Sequence, residues 1–276
     1  RSAEIYRSEK SYQQLAKVMN MVATCYLGLT GDQTKAIEYY NESLHYARMS
    51  SDHMTLAVVY SHLSNIFRMN GAYEKSMDFI YRSKEEYEKA GYTEGIAWIS
   101  FSIGRIYNTM SLYDEAKEAF LDGLEIYYNE PESVTSKTGI AICLDELALA
   151  YVETGDTDKA CKHNDMAIEL YTELKNEFGL SNALKHRARI KYLSGRREDA
   201  LNDLDRSLQI KQRMNDVLGL PAIYGLYGQM LFDSGQYSQA IDSLYVGLSY
   251  AKNNDQKTRI VDVNKQLARI FNARGE

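Results

Sequence analysis

The chain has little of what punctuates or cross-links a protein. Two prolines and 17 glycines among 276 residues leave few breakers, which argues against a turn-rich all-β domain and for long helices. The three cysteines, Cys25, Cys143 and Cys161, are odd in number, far apart and without a C-x-x-C pair. Neither a disulfide framework nor a zinc site is expected, and the thiols read as buried. No apolar run reaches the ~18 residues that a membrane span needs. Neither sign of charge dominates: 32 basic and 38 acidic residues give a net charge of −6, with no general attraction for nucleic acid or an anionic membrane. The chain opens Arg1-Ser2-Ala3-Glu4, without an initiator Met or a signal peptide, and is expected to be a segment of a longer protein.

Catalytic signatures are missing too. His45, His53, His62, His163 and His186 are scattered, with no H-E-x-x-H and no pair at helical ligand spacing. Cys161 and His163 stand two apart and point to different sides of a helix. There is no G-x-S-x-G, G-x-x-x-x-G-K-[ST] or G-x-G-x-x-G. An active site, a cofactor and a metal are therefore not expected in this segment.

What the chain has is a repeat. Gly31, Gly71, Ser111, Gly155, Gly195, Gly235 and Gly275 recur at intervals of 40, 40, 44, 40, 40 and 40. Small residues hold three further phases. Seven before the turn stand Ser64, Gly104, Ala148, Ala188, Gly228 and Ala268, with Ala23 displaced by a one-residue insertion in the first unit. Five after it stand Ala36, Ser76, Ala116, Ala160, Ala200 and Ala240. Twelve after it stand Ser43, Ser83, Gly123, Ala167, Ser207 and Gly247. Small side chains at fixed phases let crossing helices approach closely while larger neighbours fill the flanks. Apolar residues at i, i+3, i+4 and i+7 give helical periodicity. Each unit reads as helix A, short turn, helix B and connection, and one such hairpin buries its apolar face only by stacking on others. The extra four residues, in Asn129-Glu130-Pro131-Glu132-Ser133, are expected to be a longer loop. Residues 1–8 align with the tail of a preceding helix B, and Gly275 with the turn of a seventh unit.

Gly71-Ala72-Tyr73-Glu74-Lys75-Ser76 and Gly235-Gln236-Tyr237-Ser238-Gln239-Ala240, with the small and aromatic residues before them, resemble the tetratricopeptide repeat family. The resemblance covers essentially the whole chain. It implies an all-α, right-handed α-α superhelix: a single solenoid domain over residues 1–276, with six full repeats and partial repeats at both ends. The family's usual period is about 34 residues; the longer variant resembles repeats in bacterial signalling and regulatory proteins. Three positions depart from the pattern: Ser111 at a turn, Asn164 in an apolar phase and Lys191 in an aromatic one.

The resemblance further implies that helix A lines a concave groove. Residues read into that groove are Asn65 and Arg68 in the second unit and Trp98, Phe101, Arg105 and Asn108 in the third. Asn182, Lys185 and Arg189 follow in the fifth unit, Gln229 in the sixth, and Lys265 and Arg269 in the seventh. Arginine forks and amides suit carboxylates and extended backbones, and Trp, Phe and Arg are common interface anchors. Lys185/Arg189 and Lys265/Arg269 are similar to the carboxylate clamp of chaperone-binding relatives, although Arg189 and Gln229 stand where that clamp has Asn. The other reading pairs these charges with Asp145, Asp233 and Asp262 across adjacent helices and makes Trp98 a core residue. The expected function is a non-catalytic scaffold for a protein or peptide segment carrying an acidic or carboxylate group, serving as the sensory or docking region of a bacterial regulator. Its expected mechanism is a modest superhelical tightening on binding. The alternatives are an assembly module self-associating through uncapped ends, or the regulatory segment of an enzyme whose catalytic domain lies elsewhere. A cytoplasmic setting is expected from the free cysteines, with a periplasmic sensor region as the alternative.

Overall fold

The computed structural model of the chain describes residues 11–130, 132–254 and 256–275. The alignment of residues 1–8 with a preceding helix B lies outside them. The described residues form α-helices joined by short turns, with no strand. In chain order these are α1 (Tyr12–Cys25), α2 (Gln33–Met49), α3 (His53–Met69), α4 (Tyr73–Ala90), α5 (Thr93–Thr109), α6 (Tyr113–Asn129) and α7 (Val134–Glu153). There follow α8 (Thr157–Glu173), α9 (Glu177–Leu193), α10 (Arg197–Arg213), α11 (Leu220–Asp233), α12 (Tyr237–Asn253) and α13 (Lys257–Arg274). Odd-numbered helices are the A helices and even-numbered ones the B helices. The chain divides into two compact units, one ending at Ala150 and the other beginning at Tyr151.

The period has a simple origin. Helices such as α2, α3, α8 and α9 each run 17 residues, and most connections between helices span three residues. Longer helices, not longer connections, lengthen the repeat. Each A-to-B turn closes with its small residue in the left-handed region, from Gly31 at φ 67° to Gly155 at φ 83°. Glycine adopts that region freely, whereas Ser111 takes it at φ 62° against a side-chain penalty. Around Gly71 the amides of Gly71 and Ala72 donate to the carbonyls of Arg68 (3.0 Å) and Phe67 (2.9 Å), satisfying the open end of α3. At the next helix starts, Asp32, Asp52, Asp156 and Asn176 accept from backbone N–H groups three residues on, at 2.9–3.1 Å.

Two irregularities in the spacing are absorbed by helix geometry. The one-residue insertion in the first unit becomes a π-helical turn over Tyr26–Thr30, which accommodates an extra residue without losing the helix direction. The four-residue excess near Pro131 is not mainly a loop, as the sequence had suggested. α7 runs 20 residues, so the connection after α6 grows by a single residue. Four residues are close to one turn of about 3.6, so the insertion extends α7 while nearly keeping its phase. Ser133 and Ser136 cap this end reciprocally, each backbone N–H reaching the other's Oγ at 2.9 Å.

The small-residue phases mark where backbones meet. Ser43, Ser83 and Ser207 donate to the carbonyls of Ala16, Ala57 and Ser181 on the facing A helix, each at 2.6 Å. A Cβ built at Gly104 would lie 2.6 Å from Phe120, and one at Gly228 would lie 2.6 Å from Leu244. A second pairing operates between consecutive hairpins: a large B-helix side chain covers a glycine in or just before the next A helix. Tyr87 covers Gly95, Tyr127 covers Gly139, Tyr171 covers Gly179 and Lys211 covers Gly219, where an added Cβ would sit 2.3–2.7 Å from the covering side chain. At the same phase in the second unit of the repeat, small Ala47 allows Thr55 in the glycine position.

The core is accordingly a row of local clusters rather than one centre. In the first unit, Tyr40, Leu44, Leu63 and Ile66 form one cluster, and Ile80, Ile99 and Ile106 form the next. In the second unit, Leu204, Ile223 and Met230 form one, and Leu244, Val263 and Ile270 another. Each buried Leu or Ile contributes about 1.5–3 kcal/mol.

Candidate functional site

The residues expected to face a groove all fall on odd-numbered helices, as the phase requires: α3, α5, α9, α11 and α13. The structure sorts them into groups with different surroundings.

In the first unit, α3 and α5 flank a cleft of about 140 Å³ lined by Ser61, Asn65 and Arg68 from α3 and Trp98, Ser102 and Arg105 from α5. Arg68 and Arg105 are both half-buried. Arg68 donates to Asn65 Oδ1 at 2.9 Å and to Thr109 Oγ1 at 3.1 Å. Burial, and after it the like charge of Arg105, pull its pKa below the ordinary guanidinium range, with Glu146 and Tyr73 acting the other way. The group stays charged, with Glu146 compensating it only from a distance. Among the described residues no carboxylate lies within ion-pair distance of Arg68 or Arg105. The Arg105 guanidinium instead sits 5.6 Å over the Phe101 ring.

Trp98 is 37% exposed and its indole lies 4.8 Å from the Phe101 ring. It is neither pure core nor a free anchor: one side rests on Phe101 while the rest lines the cleft. Phe101 itself is 2% exposed and packs against Phe120 at 5.9 Å, so it backs the surface instead of forming it. Its phase sits at the helix–helix seam, where a large ring is drawn into the core; Ser61 at the same phase of α3 lines the cleft. Asn108 is half-buried, with its Oδ1 buried and lacking a hydrogen-bond partner.

Thr109, which the groove phases also place on this face, accepts from Arg68. Two cleft residues were not foreseen. Ser102 lines the wall while donating to the Trp98 carbonyl at 2.8 Å. His62 also lines it, stacks 5.4 Å from Tyr40, and has its pKa lowered by burial, which keeps the ring neutral at pH 7. Ser102 and His62 lie at i−3 from Arg105 and Asn65, a helical neighbour spacing that could have revealed them.

In the second unit part of the equivalent face is paired internally, although Lys265 is exposed and Arg269 rests on a ring and an amide. Arg189 pairs with Glu153 at 2.6 Å. Asp233 accepts from Tyr192 Oη at 2.6 Å and from Gln229 Nε2 at 2.8 Å, and Arg269 approaches Gln229 Oε1 at 3.5 Å while lying 5.7 Å over Phe232. Asp262 pairs with Arg259, at 3.7 Å, and not with a groove cation. Asn182 and Lys185 are half-buried, Lys185 with interactions of its own, and Lys265 is exposed. The departures noted at Asn164 and Lys191 belong to a polar core. Asn164 is fully buried and donates to the Ala183 carbonyl at 3.1 Å. Asp203, 3% exposed, receives Arg187 and Lys191, each at 2.7 Å. Burial would raise the Asp203 pKa, but the bonds from Arg187 and Lys191 outweigh it and hold the carboxyl below its usual range.

Among the described residues, no group of three or more His, Cys, Asp or Glu side chains converges as a metal site would, and no helix is long and apolar enough to cross a membrane.

Comparison with known proteins agrees with this geometry. The tetratricopeptide repeat family matches residues 139–213, and a second form of the repeat matches residues 99–130. No curated protein sequence matches the chain. Among solved structures, the apo form of RapI is similar, with a TM-score of 0.70 and 16% identity over 94% of this chain and 97% of that one. A Rap protein solved with Competence and Sporulation Factor gives 0.68 and 14% over 94% and 75%. BtubC from P. vanneervenii gives 0.63 and 20% over 78% and 88%. Identities this low show a common all-α repeat fold.

Proposed function

Because the chain is built of tetratricopeptide repeats, we propose that it is a non-catalytic scaffold that holds an extended peptide or protein segment against its A helices. The cleft between α3 and α5 carries this reading: two half-buried arginines, neither ion-paired with a carboxylate among the described residues, flank a partly exposed tryptophan. A folded protein ordinarily pairs such cations when it has no other use for them, and the second unit does so at Arg187 and Arg189. The Rap protein solved with Competence and Sporulation Factor supports a peptide or protein ligand for this kind of fold. On the same likeness, the segment serves as the sensory or docking region of a bacterial regulator, with the output function carried elsewhere.

The test is to pan a random peptide library on the whole chain and map bound peptides by amide chemical shifts. Shifts confined to α3 and α5 support the reading; shifts on the even-numbered helices alone remove it.

A second reading, assembly with another protein through the outer side of α1, is favoured by an apolar cleft of about 440 Å³ lined by Val18, Met21, Val22, Cys25, Tyr26 and Leu29. Association that is lost in Met21→Glu, measured by light scattering, would support it.

A further inference from the structure

We propose that the cleft between α3 and α5 is a carboxylate subsite: Arg68 and Arg105 together take one Asp or Glu side chain of an extended peptide, while Trp98 takes an apolar neighbour of that residue. The inference rests on the peptide-binding reading above and goes further by stating what the peptide must carry.

The chemistry follows from the side chains present. Two like charges share one cavity of about 140 Å³, and among the described residues no carboxylate forms an ion pair with either, Glu146 acting on Arg68 only from beyond that distance. Arg68 is held by Asn65 and Thr109 through its terminal nitrogens. The fork is thereby fixed before a ligand arrives, and pre-ordering reduces the entropy lost on binding. Arg105 rests on the Phe101 ring, which leaves its donor edge available for an oxygen. Two guanidinium groups around one carboxylate satisfy both oxygens with charge-assisted bonds. The net charge of −6 makes this preference local: the chain as a whole repels acidic peptides, so the subsite selects by contact and not by long-range attraction.

Trp98 supplies the second half of the specificity. It stands seven residues before Arg105 on the same helix, which at ~1.5 Å per residue separates their backbones by about 10 Å. Side chains two or three apart on an extended peptide span about 7–10 Å. The fitting motif is an acidic residue with an aromatic or aliphatic residue two or three positions away.

Trp98 is the chain's only tryptophan, so its fluorescence reports on this cleft and no other. The experiment pans an amidated random heptapeptide library on the full chain, then titrates the tightest binder and its Asp→Asn or Glu→Gln analogue by Trp98 emission. The account expects acidic residues to be enriched among binders and the amide analogue to bind about tenfold weaker. Arg105→Gln should weaken the acidic peptide equally and leave the amide analogue unaffected; Arg105→Lys should recover part of the loss. Lys84→Gln, on the opposite helix set, should change nothing, and circular dichroism melts confirm that each variant folds. Equal affinity for the acidic and amide peptides overturns the carboxylate subsite while leaving the peptide-binding reading intact. A phosphoserine analogue that binds more tightly than the acidic peptide overturns the carboxylate assignment in favour of phosphate. A library that yields no binder at all overturns both.

Discussion

The A helices of both units carry cations, Arg105 and Arg189 at one repeat phase, yet these cations meet different surroundings. In the first unit Arg68 and Arg105 share a cleft with a tryptophan, and among the described residues neither forms an ion pair with a carboxylate. In the second, Arg189 meets Glu153, and Arg187 with Lys191 grips the buried Asp203. One scaffold thus spends its basic residues in two ways. Pairs inside the second unit specify its own packing, whereas the open pair in the first is suited to something outside the chain. A repeat sequence fixes where a side chain points; it does not fix whether the neighbouring helix offers it a partner.

The largest effect expected from this contrast is on stability. Asp203→Asn removes the buried carboxylate that Arg187 and Lys191 share, leaving Arg187 only the exposed Asp165, and breaking a buried pair costs about 3–5 kcal/mol. Arg105→Gln should cost under ~1 kcal/mol, because it loses the Phe101 ring contact but no ion pair. Urea unfolding of the two variants measures the contrast, and equal losses would break it. The same carboxyl makes the second unit acid-sensitive. Its folded pKa lies below the unfolded value, so its stabilisation is full above about pH 4 and disappears as pH falls through the folded value. Amide protection factors in α9 and α10, which are corrected for the intrinsic exchange rate, should therefore fall as pH drops below about 4.

A test of likeness comes next. Gly139 in the first unit and Gly179 in the second are both covered by tyrosines, and an added Cβ would sit 2.3 Å from each ring. Alanine at either position should cost about 1–3 kcal/mol by overpacking. Similar losses in thermal melts would show that the units differ in surface chemistry and not in stacking. A smaller effect concerns binding: Arg105→Gln should weaken an acidic peptide about tenfold, roughly 1.4 kcal/mol, while Arg189→Gln should leave it unchanged in a Trp98 fluorescence titration. The smallest is a shared response to mild acid. Burial lowers the pKa of His62 in the first unit and, with nearby Lys162 and Lys159, that of His163 in the second. Their unfolded forms take up protons first, so stability falls as pH drops through about 6.5, by ~1 kcal/mol or less. A calorimetric melting temperature that rose between pH 7.5 and 5.5 would contradict both assignments.

Much of the fold was legible because its determinants recur in the sequence at fixed phases. A left-handed turn demands glycine or a small residue, and a helix crossing excludes large side chains, so Gly71, Ser83 and Gly104 announce their roles. The tyrosine-over-glycine contacts were not read, since Lys211 and the extra turn of α7 break their pattern. The candidate site was legible only by phase. Phe101 and Ser61 share one phase, but the ring is drawn into the seam and the hydroxyl is left lining the cleft. Arg189 and Glu153 lie 36 positions apart, and nothing along the chain marks them as partners. Pairing across helices depends on which acid happens to stand one repeat away, and that is set by packing.

The most direct test is a map of backbone and indole chemical shifts in the whole chain as an acidic, amidated library binder is added. The account predicts perturbations centred on the Trp98 indole and on α3 and α5 around Arg68 and Arg105. Perturbations centred on α9 and α11, with the Trp98 resonance unmoved, would contradict it.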